Sequence, residues 1–310
     1  MAEVRLRGAH RTRRGARSGG ALGGVFGGAP GGRRRGRPPT ERPNWVAGAA
    51  AVVWLAFVII PIYLMVKDAL QTTDSYLDGG PLSLPQHVTG HNFADVFDRG
   101  FTRYLINTAI VTVASAALTV LLAFPAAYAI VRSRSRAVSR IFRIFLAGLA
   151  IPAQATIIPV YLLITRMHLY DSLTAIVLPT VAFGLPLSIL VLASALRDVP
   201  RELYEAMTLD GGGSVRLMWS LALPLSRASL TTVSVYCALN AWNGFFFPLI
   251  LTQSDEQRVQ TLGLYNFQGQ FSSNIPGLMA AVLLSALPIF VVYLFARRWL
   301  IAGMAGVGGK

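Results

Sequence analysis

Six stretches of the chain, about residues 46–66, 104–131, 144–165, 172–196, 228–252 and 277–296, run without a single Asp, Glu, Lys, Arg or His. The hydrocarbon core of a bilayer, about 30 Å thick, is crossed by about 20 helical residues rising about 1.5 Å each. Every stretch reaches that length, and the longer ones leave room for tilt. None shows the short-period alternation of apolar and polar residues that marks a membrane β-barrel. The pattern predicts an all-α polytopic membrane protein with six transmembrane helices in residues 45–310. Eight prolines fall inside the stretches (Pro61, Pro125, Pro152, Pro159, Pro179, Pro186, Pro248 and Pro288). They predict kinked helices, which either surround a cavity or serve packing alone.

Composition agrees. Of the 310 residues 54% are hydrophobic and 14% charged, and the mean hydropathy is +0.53, whereas a soluble domain carries about 25% charge. The net charge of +14 sits in clusters between the apolar runs. Of the 28 Lys and Arg residues, only Lys67, Arg99, Arg103, Arg166 and Arg258 fall on one side of an even-span topology. The rest fall on the other, so both termini are expected in the cytoplasm of a bacterial inner-membrane, multi-pass protein. The first apolar run is too long for a cleaved leader and has no small-residue cleavage site after it, so it is expected to remain as an anchor. Residues 1–44 are Arg/Gly-rich, with Pro38, Pro39 and Pro43. They are expected to be a disordered tail, drawn to anionic lipid headgroups. Such a tail could also bind nucleic acid, but that would not explain six spans, and no nucleic-acid partner is expected.

Much chemistry is missing. His10, His87, His91 and His168 all lie in tails or loops, so the spans lack the titratable relay that proton-driven carriers use. Sodium coupling through backbone carbonyls stays open, and an ion-coupled secondary carrier working alone remains the alternative. A phosphate-binding loop needs a lysine after glycine, and neither Lys67 nor Lys310 has that setting. No metal-ligand spacing and no nucleophile–base pair occurs, so the chain is read as a non-enzyme that binds no cofactor. Cys237, the one cysteine, reads as a small buried hydrophobe.

The segment between the fourth and fifth runs, within residues 197–227, has helix grammar. Pro200 suits a first turn, Glu202 and Glu205 favour the positive end of the helix dipole, and Gly211 is placed to end the helix at positive φ. Ser214 can cap a second short helix through Trp219, closed by Pro224. A rigid element of this kind either transmits a push or lies on the headgroups. Two loops on the other side are long enough to meet an external partner. Residues 67–103 carry Asp68, Asp74, Asp78, Asp95 and Asp98, and residues 253–276 carry Gln, Tyr and Phe side chains.

Glu205-Ala206-Met207, Leu209-Asp210-Gly211 and, further on, Leu223-Pro224-Leu225 resemble the "EAA" loop of ATP-binding-cassette (ABC) importer permeases. Ile151-Pro152, Ile158-Pro159-Val160-Tyr161, Gly184-Leu185-Pro186-Leu187 and Ala241-Trp242-Asn243-Gly244-Phe245 are similar to the carbohydrate branch, the maltose-type second permease. The likeness covers about residues 100–300. Two departures stand out. Met207 replaces alanine, and Gly212-Gly213 replace other small residues, which is expected to loosen the hinge. The Arg/Gly tail lies outside the likeness.

The resemblance implies a permease that forms half of a sugar pathway. Its partners would be a second homologous permease, an ATPase dimer that holds ATP and Mg, an extracytoplasmic sugar-binding protein and membrane lipid. Glu205, Ala206, Met207, Leu209, Asp210 and Gly211 become the helix that couples ATP hydrolysis to alternating access. Tyr236, Asn240, Trp242 and Asn243 suit sugar hydroxyls and an aromatic face, so they either line the pathway or join helices. By position, Gln260, Tyr265, Phe267 and Gln268 become the loop that meets the binding protein.

Overall fold

The structure, a computed structural model, describes residues 45–79, 87–267 and 274–305, with residues 296–305 as backbone only. The expected tail, residues 1–44, lies outside the described residues. The chain divides into two units at Ala51. The described part of the first, residues 45–51, is the exposed opening of a helix, and everything else belongs to the second.

In chain order the helices are α1 (Trp45–Ala69), α2 (Thr73–Asp78), α3 (His91–Asp98), α4 (Phe101–Arg132), α5 (Arg136–Ala147), α6 (Ile157–Arg166) and α7 (Leu173–Arg197). Then come α8 (Arg201–Leu209), α9 (Ser214–Leu217), α10 (Leu223–Leu225), α11 (Arg227–Trp242), α12 (Phe246–Leu251), α13 (Gln260–Gly263) and α14 (Ile275–Ala305). No strand occurs among the described residues. Gln71 and Val88 pair only as an isolated antiparallel bridge. Local chemistry sets several starts. Gly100 takes φ 78° ahead of α4, while Ser135 and Ser172 accept from the N–H groups of Ala137 and Ala175 to open α5 and α7.

Among the described residues four helices are long and apolar enough to cross a membrane: α1, α4, α7 and the Ile275–Phe295 part of α14. The other two runs, read from sequence as continuous, are interrupted. In the third, the Arg136–Ala150 and Ala153–Arg166 segments meet at 97°. Pro152 causes this. The residue before a proline avoids the helical region, and Ile151 and Pro152 are both extended. In the fifth, α11 stops at Trp242 after 16 residues. The chain turns at Asn243-Gly244, and α12 restarts with Pro248 in its first turn, where a missing N–H costs nothing.

Helix α4 packs against α7 and α11, and α11 also packs against α14. Small side chains allow the close α4–α7 approach: Ala123, Ala127 and Ala193 are buried, and a Cβ on Gly184 would sit 3.4 Å from Thr119. One buried cluster gathers Phe124, Tyr128, Leu192 and Leu196 with Tyr204, Leu217, Val233 and Cys237. Another, at the opposite end of α4, joins Ala69, Val96, Phe101 and Tyr104 to Phe267 and Ala280. By contrast α1 is exposed and apolar along nearly its whole length.

Candidate functional site

Helix α8 carries the loop motif. Pro200 precedes it with φ −55° and ψ 135°, and Glu202 sits in its first turn. One fully buried side chain anchors it, and Met207 packs partly against the same cluster. Tyr204 is 2% exposed within the buried cluster, and the Arg132 guanidinium lies 4.4 Å over its ring. Burial pushes the Tyr204 phenol up from its ordinary value, with Tyr128 adding to this and Arg132 opposing it. The opposite face is bare. Glu205, Ala206, Leu209 and Asp210 are exposed, Leu209 to 89%, and Met207 is half-buried.

Gly211 closes α8 at φ 78°, as the sequence predicts, and its N–H donates to the Thr208 carbonyl at 3.0 Å. The next glycine does not behave as expected. Instead of loosening the hinge, Gly212 is buried and donates to the Met207 carbonyl at 2.9 Å. A Cβ there would stand 2.6 Å from that oxygen, so the glycine permits a tight closure. Ser214 also departs from expectation. It begins α9 without capping it, and the helix runs past Trp219 through a π-helical turn, Met218–Ala222, into α10.

Three of the four candidate pathway residues come together. Tyr236, Asn240 and Asn243 line a cavity of about 360 Å³ with Ser115, Thr119 and Thr180. Both asparagine amides donate within their own helix, to Tyr236 and Leu239 carbonyls at 2.9 and 2.8 Å. Their side-chain carbonyls stay available, and Ser115 Oγ is buried without a partner. Hydroxyl and amide groups beside Phe183, Phe245 and Phe247 can hydrogen-bond a polyhydroxylated solute and cover its apolar face. Trp242 is not among them. It is 7% exposed, and its Nε1 donates to the Ser285 carbonyl at 3.1 Å, tying α11 to α14.

The segment after α12 is latched onto α4 and does not hang free. Tyr104 donates its hydroxyl to Asp255 at 2.8 Å, and Asn107 donates to the Glu256 and Arg258 carbonyls, both at 2.8 Å. Gln260 is buried, its N–H on Thr108 at 2.9 Å and its side-chain amide on the Trp242 carbonyl at 3.1 Å. Phe267 is buried too, with Arg99 5.4 Å over its ring. Of the loop residues singled out, only Tyr265 stands exposed, stacked 5.9 Å from Phe245. Gln268 lies outside the described residues. Asp171, at φ 59°, holds the loop's start, accepting from Gln253 N at 2.8 Å and from Ser254 N and Oγ at 3.0 and 3.1 Å. These bonds, from the Gln253 N–H first, hold its carboxyl below the usual range, with desolvation opposing them.

Sequence reading missed Tyr204, Asp171 and the polar residues of α4. Only the last group left a signal: Thr108, Thr112, Ser115 and Thr119 recur every three or four residues, one face of a helix. Among the described residues no three His, Cys, Asp or Glu side chains gather to hold a metal ion.

A search against known families matches residues 119–306 to "Binding-protein-dependent transport system inner membrane component". A Caldicellulosiruptor sp. chain named as an ABC transporter permease protein is 36% identical over 252 residues, 81% of this chain and 92% of the relative. The diacetylchitobiose uptake system permease protein NgcG of Streptomyces coelicolor is 30% identical over 267 residues, 85% of this chain and 87% of the relative. In fold, the chain is similar to a chain in the crystal structure of a bacterial ABC transporter involved in the import of the acidic polysaccharide alginate. The TM-score is 0.72 at 20% identity, covering 84% of this chain and 99% of that one. With the apolar helices, the loop helix closed at Gly211 and these matches in hand, the chain belongs to the family of binding-protein-dependent transport system inner membrane components.

Proposed function

We propose that this chain is one of two membrane subunits of a sugar importer driven by a separate ATPase. The observation that carries the reading is α8: a helix pinned at Tyr204 that presents Glu205, Ala206, Leu209 and Asp210 outward. An 89% exposed leucine beside two carboxylates is a surface that suits a partner. In this reading the ATPase dimer, holding ATP and Mg, grips that face, and its closure rocks the paired permeases between inward- and outward-facing states. The bent third run and the broken fifth run complete six crossings, with both termini in the cytoplasm. Exposed apolar surface on α1 and elsewhere meets lipid or the second permease.

The solute class is supported by the cavity at Tyr236, Asn240 and Asn243 and by relatives named for diacetylchitobiose uptake and for melibiose, raffinose and stachyose import. A fold neighbour was solved with an alginate pentasaccharide-bound periplasmic protein, which supports an external binding protein as a partner. Its contact falls on the surface around Tyr265, since Gln260 and Phe267 are buried here. The test replaces Gly211 by Asp, or Glu205 by Lys. Either variant loses sugar uptake while its amount in the membrane stays normal. Normal uptake at normal expression removes α8 from the coupling role.

A further inference from the structure

A cleft beneath the first turn of α8 is left unused by the transport reading. It measures about 320 Å³, and Arg132, Arg197, Arg201 and Tyr204 line it beside the apolar Val131 and Leu196. The three guanidinium groups come from the end of α4, the end of α7 and the start of α8. Among the described residues none of them forms an ion pair. Asp198 and Glu202, their neighbours in sequence, are exposed and pair with none of them. Arg132 has only the Tyr204 ring beneath it, and Arg197 only the Phe142 ring, 6.0 Å from its centroid.

Cations are favoured at helix C-termini, which accounts for Arg132 and Arg197. It does not account for Arg201 at a helix start, where the dipole opposes a positive charge. Nor does it account for Tyr204, whose hydroxyl is buried with no hydrogen-bond partner. Buried hydroxyls are nearly always partnered. An unpartnered phenol and three guanidinium forks with no carboxylate paired to them suit a compact anion with several acceptor oxygens.

We propose that this cleft binds a phosphate group, the Tyr204 hydroxyl and the arginine forks donating to its oxygens. Such a group spans α4, α7 and α8 and fixes the loop helix against the membrane-spanning helices. For one point the proposal rests on the transport reading: the cleft then opens at the inner leaflet, where anionic headgroups meet basic pockets between helices. A phospholipid headgroup and dissolved phosphate share this chemistry, and the experiment separates them.

The full-length chain is purified in uncharged detergent, and its thermal midpoint is followed in two titrations. One compares phosphatidylglycerol with phosphatidylcholine; the other compares inorganic phosphate with chloride at equal ionic strength. The variants are Tyr204→Phe, which keeps the ring under Arg132, and Arg201→Gln. Arg140→Gln, exposed on α5 and not part of the cleft lining, is the control. Stabilisation by phosphatidylglycerol, by phosphate or by both supports the site, provided each cleft variant weakens binding about tenfold and the control does not. The ligand that stabilises names the source. No preference over phosphatidylcholine and chloride overturns the proposal, as does a preference untouched by the cleft variants or equally lost in Arg140→Gln. Uptake is not measured, so the outcome is independent of whether the chain carries sugar.

Discussion

Three consecutive glycines end α8, and the structure assigns them three different costs on replacement by alanine. At Gly212 the new Cβ would lie 2.6 Å from the Met207 carbonyl oxygen and 3.2 Å from Met207 Cγ. The nearest obstacle is backbone, so the turn must open, breaking the 2.9 Å bond from Gly212 N to that same oxygen. Overpacking costs about 1–3 kcal/mol and the hydrogen bond about 1 kcal/mol, together about 2–4 kcal/mol. Gly211 has open space around its Cβ position but φ 78°, so alanine pays only the left-handed strain, about 1–2 kcal/mol. Gly213 has φ −75° and nothing within 4 Å, so alanine there is near neutral, within about 1 kcal/mol. The assay is hydrogen exchange at residues 205–212 of the full-length chain, alongside uptake at matched membrane levels. Gly212→Ala raises local opening roughly thirtyfold or more, Gly211→Ala raises it less, and Gly213→Ala hardly at all. If Gly213→Ala harms the turn as much as Gly212→Ala, the close approach is not what closes the helix.

Trp242→Phe removes the donor to Ser285 and lowers stability by about 1 kcal/mol while leaving solute preference unchanged, read from an unfolding midpoint and competition uptake. Asn240→Ala and Asn243→Ala each delete an amide that donates only within its helix, so stability falls by less than about 1 kcal/mol. On the sugar reading the half-saturating solute concentration rises several-fold; if it moves in neither variant, they do not line the pathway. Asp171 has a carboxyl held below its usual range by the Gln253 and Ser254 donors. A depressed folded-state value stabilises fully above the unfolded value, about 3.9, and the gain fades as pH falls through the lowered one. The gap in melting midpoint between wild type and Asp171→Asn is therefore flat near neutrality and closes below about pH 4; a gap that widens on acidification refutes the latch.

What could be read from the chain was what rests on composition over one helix length. The four unbroken apolar helices stand out because lipid demands an uncharged run of fixed length. The positive-φ end of α8 follows from a single glycine at the right offset. The interruptions were harder. Pro152 breaks its run by 97°, whereas Pro61, Pro125, Pro179, Pro186 and Pro288 sit inside continuous helices. One residue type thus has two outcomes. The lining of the cavity was legible where polar residues are anomalous in an apolar run, as at Asn240 and Asn243. The site was illegible where contacts join distant positions. Nothing near Tyr204 says that its ring goes beneath Arg132, and nothing near Asp171 names Gln253.

The buried cluster beneath α8 connects the two halves of the proposed mechanism. Tyr204 of α8 and Leu217 of α9 pack with Phe124, Tyr128, Leu192 and Leu196, and the same cluster holds Val233 and Cys237 of α11. Cys237 in turn lines the cavity with Tyr236 and Asn240. A close-packed cluster passes on displacement because its side chains interdigitate with little free space between them. A pull on the exposed face of α8 therefore bears on the helix that lines the cavity, without any mobile polar relay. This fits apolar runs without Asp, Glu, Lys, Arg or His: in the proposed mechanism the energy enters as movement, through Tyr204, and the glycine closure at Gly211-Gly212 keeps the lever from bending.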